Sequence, residues 1–213
     1  MRDTNSMTFT HYILTRFNVG LYTENPYNVA NPNEWMEHRL KLFKDCKESV
    51  LAQEVDFKWV IAVDENTPQE YLDEIFTDDR MIMYHGNVKE VFNTIKPSTD
   101  WVITTRFDND DTYNEGALKA IQVVFLEKNF DKPKYVIDID YHKLFKGNNY
   151  PSNRRRANSP FLSLVEYVPE RKLVTAYDKK HSNMPDFYKS IKIYDELANM
   201  VIHDRNQCNK LAK

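Results

Sequence analysis

The chain has 213 residues, 41% apolar and 29% charged, the balance of a globular domain large enough to bury a core. Its formal net charge of -3 gives no global cationic field of the kind that marks most stand-alone nucleic-acid binders. Only four glycines occur, Gly20, Gly86, Gly116 and Gly147, none near another, which excludes both the dinucleotide fingerprint and the phosphate-cradling P-loop.

The N-terminal MRDTNSMTFT lacks the apolar centre of a secretory leader, and no run approaches the ~18 to 20 apolar residues that span a bilayer. A soluble, cytoplasmic protein is expected. The two cysteines, Cys46 and Cys208, form no disulfide framework and no C-x-x-C pattern, in keeping with a reducing compartment. Tyr12-Ile13-Leu14 begins a strand that ends near Asn18. After a loop rich in Asn and Pro, Asn33 is placed as the N-cap of a helix carrying Trp35, Met36, Leu40, Phe43, Cys46 and Val50 at helical spacing. Phe57 to Val63 reads as a strand, Gln69 to Phe76 as a helix, Met81 to Tyr84 as a strand, Val88 to Ile95 as a helix and Trp101 to Thr105 as a strand. A helix is expected from about Asn114 to Asn129. Beyond it, Tyr135 to Ile139, Phe161 to Tyr167 and Leu173 to Tyr177 read as strands of a mixed second half, and Pro185 to Asn199 as a helix before Met200-Val201-Ile202.

Strands alternating with helices across connections too long for hairpins predict an α/β fold with a mostly parallel sheet in its N-terminal half. Ligands of such sheets lie beyond the carboxyl ends of the strands, which directs attention to Arg16, Asn18, Asp64 and the run from Arg106 to Asp111. That run follows an apolar strand and holds three carboxylates in four residues, Asp108, Asp110 and Asp111. Like charges so close cost free energy unless a cation or hydrogen-bond donors offset them. Mg²⁺ or Mn²⁺, held by one or two carboxylates and completed by water and a substrate phosphate, is the simplest offset, and it handles a diphosphate without a glycine-rich nest. The bland alternative is a solvated acidic turn that caps the helix starting near Asn114.

The segments CKESVLAQ (Cys46 to Gln53), FKWVIAVD (Phe57 to Asp64) and the strand ending at Asp111 resemble the nucleotide-sugar-binding half of GT-A fold glycosyltransferases. TTRFDNDD (Thr104 to Asp111), SPFLSLVE (Ser159 to Glu166) and VIHDRN (Val201 to Asn206) are similar, in that order, to the rhamnosyltransferase family. The resemblance runs from about His11 to Asn206. It implies one GT-A-like domain, with residues 11–111 binding the nucleotide-sugar donor and 112–206 the acceptor. It implies that Asp64 accepts a hydrogen bond from the donor base, that Asp108 lies near the donor ribose and joins the metal ligands, that Asp110 is the main metal ligand, and that Asp111 supports it or binds sugar hydroxyls. A late histidine, His203 or His181, would join the metal shell.

An inverting transfer needs a base for the acceptor hydroxyl. Glu166 is the candidate, with Asp138 and Asp140 competing because their alternation puts both on one face of a strand. A retaining enzyme needs no such base. Arg154, Arg155 and Arg156 would grip the donor diphosphate or an anionic acceptor. The expected acceptor is a glycan hydroxyl. The alternatives are a hydroxymethylated DNA base, as in transferases that bacteriophages encode, and a noncatalytic nucleotide-sugar-binding module.

Overall fold

The computed structural model describes residues 7–128, 130–151, 159–170 and 172–203. Four parallel strands form half of the sheet: β1 (Phe9–Arg16), β2 (Lys58–Val63), β3 (Met81–His85) and β4 (Trp101–Arg106), in the spatial order β3-β2-β1-β4. β1, β2 and β4 are buried on both faces over most of their length, as covering helices require, whereas β3, at the edge of the sheet, is half exposed. Crossovers are supplied by α1 (Pro32–Leu51), α2 (Gln69–Ile75) and the short α3 (Val91–Thr94).

The N-cap of α1 is Asn31, not Asn33. Asn31 Oδ1 accepts from the backbone N–H groups of Asn33 and Glu34, and Pro32 takes the first helical position, where its missing N–H costs nothing. The buried stripe of α1 is Met36, Leu40, Phe43, Cys46 and Val50, as its spacing predicts, with Trp35 left half-buried at the rim.

After β4 the chain adds the two-residue β5 (Thr112–Tyr113), α4 (Ala117–Glu127), β6 (Lys134–Phe145), β7 (Asn148–Pro151), β8 (Leu162–Tyr167), the single turn α5 (Met184–Phe187) and β9 (Lys189–Ile202). The sheet continues β4-β8-β6-β9-β5, with β8 antiparallel to β4 and β6 and with β9 parallel to β6. The mixed second half is therefore as expected, but two of its elements are not. The helix read from Pro185 to Asn199 is mostly strand β9. Its ELANM stretch suits a helix locally, yet Ile191, Ile193, Ala198, Met200 and Ile202 pack on the core through pairing with β6, and tertiary pairing overrides propensity. Leu173 to Tyr177 is no strand. It crosses one face of the sheet as loop, its Ala176 N–H donating to Thr104 Oγ1 and its Tyr177 hydroxyl to the Leu14 carbonyl.

β9 bulges against β6. Ile139 faces Ile193, whereas Tyr141, two residues on, faces Ala198. The extra β9 residues re-aim the strand so that Asn199 pairs with Thr112, directly after the acidic run. Among the described residues no helix is long and apolar enough to cross a membrane.

A buried polar chain crosses the core. Gln122 Nε2 donates to His11 Nδ1 at 3.3 Å, which leaves the ring proton on Nε2, 2.7 Å from Thr105 Oγ1; Thr105 in turn meets Ser163 Oγ at 2.6 Å. Burial pushes the His11 pKa down to about 3, from the 6.5 of an unfolded chain. The neutral ring is thus required by the fold, and its contribution is full above 6.5 and lost as pH falls through the window from 6.5 to 3. At pH 5 this one group should cost about 2 kcal/mol relative to neutral pH. Urea denaturation of wild type and His11→Gln at pH 7 and pH 5 checks it: the variant should lose about 2 kcal/mol less than wild type on acidification.

Candidate active site

The acidic run forms a turn at the carboxyl end of β4. None of its aspartates caps a helix: α4 starts at Ala117, beyond β5, and the residue before it is Gly116 in the left-handed region at φ 75°. The capping alternative for Asp108 to Asp111 therefore does not hold. The turn is instead bound by charge. Asp110 Oδ2 accepts from Arg39 Nη1 at 2.7 Å and lies 2.9 Å from His203 Nε2. Asp111 is almost completely buried, its Oδ1 accepting from the Val201 N–H at 2.9 Å. Asp108, the most open of the three, faces Arg106 at 3.7 Å.

Burial and the neighbouring Asp110 and Asp108 charges hold the Asp111 carboxyl well above the usual range. Burial alone would raise Asp110 too. The hydrogen bond from His203 and the Arg39 guanidinium outweigh it and hold Asp110 below its ordinary value. β9 explains why His203 is here. Continuing its antiparallel register with β5 backward from Thr112 carries Val201 level with Asp110, and His203 with Asp108.

On the opposite face of the sheet Arg16 ends β1 and Arg106 ends β4. Their guanidinium carbons lie 5.2 and 4.9 Å from the centroid of one ring, Tyr177. Two cations over one buried aromatic ring concentrate positive charge beside Asp108. Tyr177 comes from the crossing loop, and no periodicity in the sequence marks it.

Asn18 and Asp64 are buried beneath this rim. Asn18 Oδ1 accepts from the Asp64 N–H, and its Nδ2 donates to Thr67 Oγ1. Asp64 Oδ2 accepts from the Tyr22 N–H and from both the N–H and hydroxyl of Thr23, while Oδ1 accepts from the Asn66 N–H. Both side chains thus pin the loop after β1 to the turn after β2, and Asp64, at 3% exposure, does not stand open to a base.

The structure corrects the role given to Glu166. It pairs in register with Val102, four residues before Arg106, which puts it about 13 Å down the strand from the acidic turn. Its side chain is wholly buried, its Oε1 2.7 Å from Lys134 Nζ and accepting from the Val174 N–H at 3.0 Å. Burial raises its pKa despite those donors. Asp138 and Asp140 lie at the correct end. Asp138 is opposite Leu162, level with Arg106 and on the same face, and its Oδ1 accepts from the Ser159 N–H. Asp140, two residues nearer the rim, is half-buried with Lys192 Nζ at 4.0 Å.

His203 is the histidine that reaches Asp110; His181 opens a helical turn just before α5. Arg154, Arg155 and Arg156 lie outside the described residues, as does the chain after His203. Two surface hollows, about 700 Å³ between α1 and α2 and about 870 Å³ beside Phe9, Glu54 and Arg80, are lined by no residue of the acidic turn. Among the described residues, no group of three or more His, Cys, Asp or Glu side chains is arranged to hold a metal. Arg39 is the site residue that sequence reading misses: on α1 it looks like any flanking arginine.

The fold is that of GT-A-like transferases. Crystal structures of S. aureus TarS residues 1–349 align over 92% of this chain with TM-score 0.55 and 15% identity, and, for its complex with UDP-GlcNAc, over 94% with TM-score 0.50 and 14% identity. The chain spans 60% of the length of either TarS structure. No curated protein matches it in sequence. The family described as "Putative rhamnosyl transferase" matches residues 22–213, nine-tenths of the sequence, and the chain belongs to that family.

Proposed function

We propose that this protein is a glycosyltransferase that moves a sugar, a deoxyhexose such as rhamnose, from a nucleotide-activated donor to a glycan hydroxyl. The observation that carries the reading is the convergence, at one end of the parallel strands, of two arginines over one ring and an acidic turn closed by a late histidine. Residues 11–111 would bind the donor and 112–206 the acceptor. Arg16 and Arg106 grip the diphosphate, Asp108 borders the donor sugar, and buried Asp111 supports the turn through the Val201 N–H.

The donor set suits a divalent ion that substrate completes. Asp110 Oδ2 and His203 Nε2, hydrogen-bonded to each other at 2.9 Å, are the two groups that would turn to hold it. Two protein ligands are what such an ion takes when substrate phosphates fill its other positions. The imidazole favours Mn²⁺ over Mg²⁺. Held by Asp110 and His203, the ion would neutralise charge that builds on the departing diphosphate.

The acceptor's base is assigned to Asp140, with Asp138 holding the Ser159 loop in place. As the acceptor oxygen bonds to the anomeric carbon, its proton passes to Asp140 and the bond from that carbon to the diphosphate breaks, with the electron pair leaving on the diphosphate. Asp140→Asn should lower transfer roughly 10²- to 10⁴-fold and leave donor affinity unchanged, measured by product formation and calorimetry. The reading as a whole is tested by mass-spectrometric detection of transfer across a panel of nucleotide-sugars with Mn²⁺. A donor that binds in the panel but is never turned over, in the presence of any glycan acceptor, would reduce the protein to a binding module.

A further inference from the structure

Arg39 sits on α1 beside Leu40 of the buried stripe and one helical turn after Trp35. Its Nη1 donates to Asp110 Oδ2 at 2.7 Å and to Asn109 Oδ1 at 3.3 Å, and its guanidinium carbon lies 5.1 Å from the Trp35 ring centroid. Side-chain exposure is 17% for Arg39 and 13% for Asp110, so the pair is largely shielded from water and its attraction is little screened. The oxygen it holds is the same Oδ2 that His203 Nε2 approaches. A cation seated on that oxygen and His203 would stand within a few ångströms of the guanidinium, where two positive charges repel strongly.

We propose that Arg39 is the resident counter-ion of the acidic turn, displaced from Asp110 when a divalent cation loads. This rests on the metal reading above. Without the ion, Arg39 neutralises the turn and keeps Asp110 ionised and oriented. With it, the guanidinium withdraws along Trp35 and its charge is freed for an incoming diphosphate. The affinity for the ion is then set from α1, and cation and diphosphate bind with positive coupling.

The test uses the full chain, with Mn²⁺ binding read by calorimetry and Mg²⁺ binding by tryptophan emission. Trp59 and Trp101 are buried, which leaves half-buried Trp35 to report motion of Arg39. Arg39→Met and Arg39→Gln, two variants in case one folds poorly, should bind Mn²⁺ roughly tenfold tighter than wild type, the scale of one lost charge-assisted hydrogen bond. Arg39→Lys, which keeps a cation, should remain near wild type. Saturating Mg²⁺ should shift emission in wild type and leave it unmoved in Trp35→Phe. If wild type binds the ion but the uncharged variants bind it no tighter, or wild-type emission stays still at saturation, Arg39 is no competitor and the proposal falls while the metal site stands. If no variant and no wild type binds either ion, the metal reading itself fails and takes the proposal with it.

Discussion

Asp110→Asn should abolish sugar transfer while leaving a folded protein. The carboxylate is the shared acceptor of Arg39 and His203, and asparagine keeps its shape and one acceptor oxygen but not its charge. Loss of a catalytic cation is worth several kcal/mol of transition-state stabilisation, and about 4 kcal/mol is roughly a thousandfold in rate. Turnover should therefore fall at least that far, Mn²⁺ binding by calorimetry should vanish, and the melting temperature should fall because shielded Arg39 loses its charged partner, with the protein still folded at assay temperature. Chelation should act on wild type in the same way and add nothing in the variant. Transfer within tenfold of wild type in Asp110→Asn, unaffected by chelator, would show that the arginines alone carry the diphosphate.

The largest effect on stability is expected at Glu166. With Lys134 Nζ at 2.7 Å, Oε2 without a hydrogen-bond partner among the described residues and no exposed side-chain surface, it is half of a buried ion pair. Truncation to alanine strands the Lys134 ammonium, whose side chain is largely shielded from water, and should cost about 3 to 5 kcal/mol in urea denaturation. Lys134→Met should cost a similar amount by stranding the carboxylate. The double variant Glu166→Leu with Lys134→Met should lose much less than the sum, because neither charge is left behind. Glu166→Gln separates this structural role from catalysis. Its transfer rate should stay near wild type, where removal of a general base would lower it by roughly 10² or more.

Much of this protein is legible in one dimension. Strands β1, β2 and β4 read directly because strands buried on both faces are apolar runs, β3 as a short apolar run at the sheet edge, and α1 because its core face repeats at helical spacing. The acidic run was conspicuous because three aspartates at a strand end are electrostatically costly without an offset. The matching motifs also placed Glu166 within SPFLSLVE, but a motif carries no register: antiparallel pairing with β4 turns the end of that segment toward the wrong end of the sheet.

What the sequence by itself determined is therefore the parallel half-sheet and the acidic turn at the end of β4, set by periodic burial and local charge, and, through the likeness of its motifs, the family. Only the tertiary structure decided what offsets that turn. Arg39 is 71 positions before Asp110, and His203 is 93 after it. One arrives because α1 packs its Leu40 stripe against the sheet, and the other because β9, a strand where local propensity favours a helix, bulges past β6 to pair with β5. Long-range pairing of this kind leaves no local pattern, since its free energy comes from burial that exists only once the chain has folded.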